Sequence, residues 1–172
     1  MNFQFLVEKL ESSGEFQDFI KNNKDAYLCS GFFIFDYESN FENNKYSLDF
    51  YVPSNNKIIS FELEKEVKII PLDNYDEEIP KKIDINLDFD FENIKDNLLN
   101  EIEIRGIKNK VQKMLFSLQT KDNENFILGT IFVSNLGLIK ISLKLKKDKI
   151  EIIEFEKKSF FDMLKFDKKS KN

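Results

Sequence analysis

The chain has 172 residues, 41% of them apolar and 33% charged, with a formal net charge of −5. These values fit one domain or two small ones and speak against a disordered chain or a membrane protein. A pI near 5.0 argues against a nucleic-acid partner, whose electrostatic footprint is basic.

The charge is uneven. Asp73 to Glu103 is acid-rich and Glu156 to Asn172 is lysine-rich, and solvated surface accounts for both. The single cysteine, Cys29, permits no disulfide within the chain, which suits a reducing compartment and makes a cytoplasmic location the expectation. The opening MNFQFLVEKLESSGEF has neither a basic leader nor a long apolar run, so no secretory signal is expected. No stretch approaches the eighteen apolar residues of a spanning helix.

In chain order, Phe3, Leu6, Val7 and Leu10 recur at helical spacing, and Phe16, Phe19 and Ile20 form a second stripe. Ser12 and Glu15 stand at capping-box spacing between them, so two short helices, or one helix kinked near Gly14, are expected, ending at Asn22-Asn23. YLCSGFFIFDYE, residues 27–38, reads as a strand from its aromatic and β-branched content. Tyr46, Leu48, Phe50 and Val52 alternate with polar residues, as do Ile59, Phe61 and Leu63, and each run reads as a half-buried strand. A fourth strand, 67–70, closes at Pro71. Residues 72–82, LDNYDEEIPKK, are the expected linker.

Beyond it, Ile83, Ile85, Leu87 and Phe89 alternate with polar residues, which predicts an extended segment. Asp90 is placed to cap a helix carrying Phe91, Ile94, Leu98 and Ile102, and Gly106 to stop it. Four strands are expected at 110–119, 126–133, 138–146 and 149–155, then a short helix over SFFDMLKF and a lysine-rich tail.

A helix followed by four strands therefore occurs twice. Tyr46, Leu48 and Phe50 match Leu128, Thr130 and Phe132; Ile59, Phe61 and Leu63 match Ile139, Ile141 and Leu143. The expected fold class is α+β: two tandem helix-plus-four-stranded antiparallel meander repeats, at 1–75 and 76–166, with a short C-terminal helix in the second and a disordered tail at 167–172. Each half is small, so the two should pack sheet beside sheet or face to face.

A helix feeding a meander that closes on LKKDKIEIIEFEKKS resembles the PepSY and cystatin-like folds. Over about residues 84–166 the chain is also similar to uncharacterised small archaeal proteins. In those, an "LQ" strand (here Ser117-Leu118-Gln119) precedes a strand pair and a short terminal helix. Their D-x-T-G turn is replaced here by Lys146-Lys147-Asp148-Lys149. The resemblance implies a fold and no activity.

The chain has no histidine, which removes His-based acid–base pairs, the Ser-His-Asp triad and the usual zinc sets. Neither a GxxxxGK[ST] nor a GxGxxG motif occurs, and no cofactor is expected. Asp84, Asp88, Asp90 and Glu92 suggest a calcium site on paper, but the loop glycine is missing and Leu99 stands where the bidentate acid belongs, so no metal is expected. Cys29 has no cationic neighbour in its strand and reads as a structural thiol.

Asp36, Tyr46, Asp49 and Tyr51, with Tyr37, fall on neighbouring strands and are the candidates for a pocket of carboxylate and phenol groups. The ordinary alternative is a wet face of acids and half-buried tyrosines. Phe160, Phe161, Leu164 and Phe166 beside lysines suggest contact with a membrane surface or a partner groove. The run is short, and packing onto the second sheet is the simpler expectation.

With no catalytic kit and many aromatic strands, the chain reads as a soluble, non-enzymatic binding or scaffold protein. It would act through a sheet face or edge on a protein partner or on itself. The alternative is a small-molecule binder or small enzyme with a pocket between helix and sheet.

Overall fold

A computed structural model describes residues 1–72, 79–135, 137–146 and 149–159. Two short helices, α1 (Phe3–Glu11) and α2 (Gly14–Asn22), lead into β1 (Tyr27–Asp36), β2 (Lys45–Val52), β3 (Lys57–Glu62) and β4 (Lys68–Leu72). Helix α3 (Phe91–Ile104) then leads into β5 (Val111–Lys121), β6 (Glu124–Val133), β7 (Gly137–Lys146) and β8 (Lys149–Ser159). All strand pairs are antiparallel, and they form one 8-stranded sheet in the order β4-β3-β2-β1-β5-β6-β7-β8. Two four-strand meanders thus lie side by side, joined where β1 pairs with β5 from Gly31↔Leu118 to Asp36↔Lys113.

The helices follow from their caps and stripes. Asn2 accepts the Phe5 N–H at the start of α1. At α2 the cap is Ser13, which accepts the Phe16 N–H; the expected Ser12 instead donates back to the Glu8 carbonyl of α1. Asp90 caps α3 by accepting from Glu92 and Asn93, and Gly106, at φ +68°, ends it in the left-handed geometry that glycine takes without cost.

One core lies between the helices and one face of the sheet. Phe16 of α2 packs against Phe50 and Phe61. Phe91 of α3 packs 4.6 Å from Phe33, and Phe89 stacks on Phe3 of α1. The strands contribute alternate residues to this face, among them Leu48, Phe61, Met114, Phe116, Ile131 and Ile141, all buried. Gly129 belongs to the same face: a Cβ there would meet Ile141 at 2.7 Å and Phe116 at 2.9 Å. A bare backbone at this point is what lets a phenylalanine and an isoleucine close over the sheet.

Three expectations change. The extended segment expected over 83–89 is broken by a turn at Ile85-Asn86 and joins no ladder; it is held by single bonds such as Ile83 N–H to the Leu28 carbonyl and by one isolated bridge, Asn2↔Asp90. Its alternation arises because buried Ile83 and Phe89 alternate with exposed acids without any partner strand. Pro71 does not end β4 but lies inside it, opposite Ile59, tolerated because β4 is an edge. Third, the match of Tyr46, Leu48 and Phe50 with Leu128, Thr130 and Phe132 crosses faces. The first three point to the helix side, where Leu48 and Phe50 are buried, whereas the second three lie on the opposite face, where Leu128 and Phe132 are exposed. The expected C-terminal helix and tail, and most of the linker, lie outside the described residues.

Candidate functional site

The helices cover one side of the sheet, and the opposite face is the open one. Antiparallel sheets commonly turn one face to water, and that face is then polar. Here it is not. Phe32, Leu128 and Phe132 point to it and remain 39%, 41% and 40% exposed, with Ile34 and Leu115 half-buried beside them. Ser47, Phe32, Ser117, Leu128 and Ser142 are consecutive register partners across β2, β1, β5, β6 and β7. The row alternates small and large side chains. In the next row stand Lys45, Ile34, Leu115, Thr130 and Lys140. Between the rows lies a shallow trough of about 400 Å³, lined by Phe32, Leu115, Ser117, Leu128, Thr130 and Lys140, with Glu154 at its rim.

The local sequence explains the surface. FILGTIFV is apolar on both parities: Ile127, Ile131 and Val133 face the helices, while Leu128 and Phe132 face outward. A strand apolar on both faces is built to be covered on both.

The edges are less open to pairing than the face. β4 is five residues long and carries Pro71, which cannot donate to a further strand. β8 carries Glu151, Glu154 and Glu156 with lysines at both ends, and its register against β7 shifts beside the exposed Ile153. Short length, proline, charge and irregular register are the devices that keep edge strands from pairing.

The four residues expected to share a pocket fall in three places, with only Asp49 and Tyr51 on one face of one strand. Asp49 lies on the open face, where its carboxylate accepts from Ser30 Oγ and Ser60 Oγ, both at 2.6 Å. Tyr51 shares that face, but its ring meets Tyr27 at 5.5 Å and its hydroxyl donates to Asn56. Tyr46 is opposite Phe33 on the helix side, edge-on to Phe35, with its hydroxyl accepting from Asn44. Burial raises its pKa; the Asn44 bond works against the rise, and Glu92 and Glu64 add to it.

Asp36 ends β1, six residues and about 20 Å beyond Ser30. It accepts from the Glu38 and Ser39 N–H groups and pairs with Lys113 at 3.4 Å. Burial pushes its carboxyl up, and those two N–H groups with the Lys113 ammonium pull it further down, to below the usual range. Each residue organises its own surroundings, and they do not converge.

Tyr37, also expected near them, is on the helix side with its hydroxyl toward Met114 Sδ, and burial lifts it to about 12, helped by Glu92 and Asp96. Among the suggested calcium ligands, Asp90 caps α3 and pairs with the N-terminal ammonium at 3.4 Å, and Asp84 accepts from the Asn86 N–H. The Cys29 thiol is buried and is pushed up to about 12 by that burial, with Asp49 adding to the rise.

Two features were missed in the sequence. Lys95 lies inside the apolar stripe of α3 and is buried, 2.7 Å from Glu92 and 4.7 Å from the Phe35 ring centre. Its signal was its place one turn after Phe91. A concavity of about 370 Å³ opens between α2 and the start of β1, with Phe16, Ile20, Leu28 and Phe50 as walls and Glu11, Lys82 and Asp84 at the mouth.

No family model matches the chain, and no curated protein matches it. A solved structure described as a "putative lipoprotein" from Clostridium difficile 630 is similar over 84% of this chain and 90% of that one, with 17% identity and a TM-score of 0.49. Among the described residues, no helix is long and apolar enough to cross a membrane.

Proposed function

We propose that the protein is a non-enzymatic binding or scaffold protein whose interface is the open face of the sheet. The observation that carries this reading is the apolar set Phe32, Leu128 and Phe132 on the side away from the helices. Exposed apolar surface of this kind, rimmed by polar groups, marks a site of association. The blunted edges support face over edge.

The architecture belongs to the same proposal. Two repeats of helix plus four-stranded meander, 1–75 and 76–166, joined at β1 and β5, extend two half-sheets into one broad platform. The PepSY/cystatin-like likeness is part of this reading.

The test uses Leu128→Asp and Phe132→Asp, which place a charge on the face without touching the core. Both variants are expected to melt as the parent does and to lose the associated protein, or the self-association, that the parent shows. Binding that survives both substitutions contradicts the reading.

The second reading, a small-molecule binder, rests on the concavity beside α2, whose volume is in the range of ligand sites. Titration with the apolar dye N-phenyl-1-naphthylamine tests it. An emission rise abolished by Ile20→Trp, which fills the space, supports a pocket there; no emission rise removes it.

A further inference from the structure

We infer that the occupant of the open face is a second copy of this chain, seated sheet to sheet about a two-fold axis that runs parallel to the strands between β1 and β5. The inference rests on the open-face reading and names its partner.

The argument starts from the row Ser47, Phe32, Ser117, Leu128 and Ser142. A two-fold interface is self-complementary: if one residue meets a second, the second meets the first. Rotation about an axis between β1 and β5 sets β1 over the partner's β5 and β2 over the partner's β6. Phe32 then lies over the position of Ser117 in the other copy, and Leu128 over that of Ser47. In this row each large side chain meets a small one; in the next row Ile34 lies over the position of Leu115, an apolar pair beside the axis. An axis one half-strand away, through β5, would set Phe32 against Leu128, large on large. Within this row the alternation favours the axis between β1 and β5.

Charge agrees with that choice. The same rotation sets Glu154 of β8 over the position of Lys68 on β4, and Asp36 of β1 over that of Lys113 on β5. The trough itself ends in Lys140 and Glu154, so the rim carries both signs and does not repel its own copy.

Size agrees as well. Eight strands at about 4.8 Å spacing are roughly 38 Å wide, and eight residues of strand are about 26 Å long. That footprint of about 1,000 Å² exceeds the roughly 800 Å² per partner of a stable complex. Sheets stacked in this way lie about 10 Å apart and each sheet's twist carries its outer strands out of line, so the pairing of large with small holds best near the axis, where Phe32 and Ser117 are.

Sedimentation equilibrium of the purified full-length chain at micromolar concentration, with thermal melts as a control for folding, tests the inference. The parent is expected to be a dimer. Leu128→Lys and Ser117→Phe are each expected to weaken it by about a hundredfold while Phe5→Lys, on exposed helix surface, leaves it unchanged. The double variant Phe32→Ser/Ser117→Phe exchanges large for small and is expected to recover the dimer. A parent that stays monomeric overturns the inference, as does a dimer indifferent to Leu128→Lys or a double variant no better than Ser117→Phe alone. A monomer that still binds a different protein through Leu128 and Phe132 overturns the dimer and leaves the open-face reading standing.

Discussion

Phe33 stands directly opposite Phe116 across the β1–β5 pair, both rings fully buried beneath the helices. This contact crosses the seam between the two meanders. Phe91 of α3 lies on Phe33 at 4.6 Å, and Phe35 packs 5.7 Å from Phe116, so the first half of the chain shares its core with the second.

Phe116→Ala is therefore expected to cost about 3–5 kcal/mol, the loss typical of removing a buried ring. Urea denaturation followed by far-ultraviolet circular dichroism is expected to show one transition at a lower midpoint, because the core is shared. Two transitions, with only the later one moved, would mean that the halves unfold independently.

The acid limb of stability depends on Asp36. Its pKa is lowered in the folded chain, so the unfolded chain holds the proton more tightly. The stabilisation is complete above the unfolded pKa of about 3.9 and is lost as pH falls through the folded value. Asp36→Asn is expected to be less stable at neutral pH, with the difference from the parent shrinking below about pH 4. A difference that stays constant from pH 7 to pH 3 would contradict the role of the ionised carboxylate.

Burial holds the Cys29 thiol near 12, and the thiolate is the reactive form. Ellman's reagent at pH 8 is expected to leave the folded chain unmodified over minutes and to titrate one thiol in urea. Rapid stoichiometric reaction of the folded chain would show that the site is open.

Much of the fold was legible in the sequence, because the strands alternate or are dense in aromatic and β-branched residues and each helix has a stripe and a cap. The α+β class and the antiparallel sheet follow from those local patterns. The failures are local as well. Ile83 to Phe89 alternate like a strand, yet no neighbour offers a ladder, and alternation alone does not make one. Asp36, Tyr46, Asp49 and Tyr51 were close in sequence order, but an odd spacing puts Tyr46 and Asp49 on opposite faces. Six residues of strand then carry Asp36 away from Ser30.

The open face was hidden for a different reason. Leu128 and Phe132 have the same chemistry as buried core residues, and only the one-residue offset from Ile127 and Ile131 tells the faces apart. Which parity lies under the helices is settled by the pairing of β5 with β1, a contact between residues 77 to 87 positions apart in the chain.

The most direct measurement of where this protein binds is position-resolved photo-cross-linking. A benzophenone amino acid is introduced at Phe132 on the open face, at Ile153 on the β8 edge, and at Phe5 on the exposed side of α1. The open-face account expects a defined protein adduct, whether with another copy or a distinct partner, from position 132 and none from 153 or 5. Adducts from position 153 or 5 with position 132 silent would contradict it.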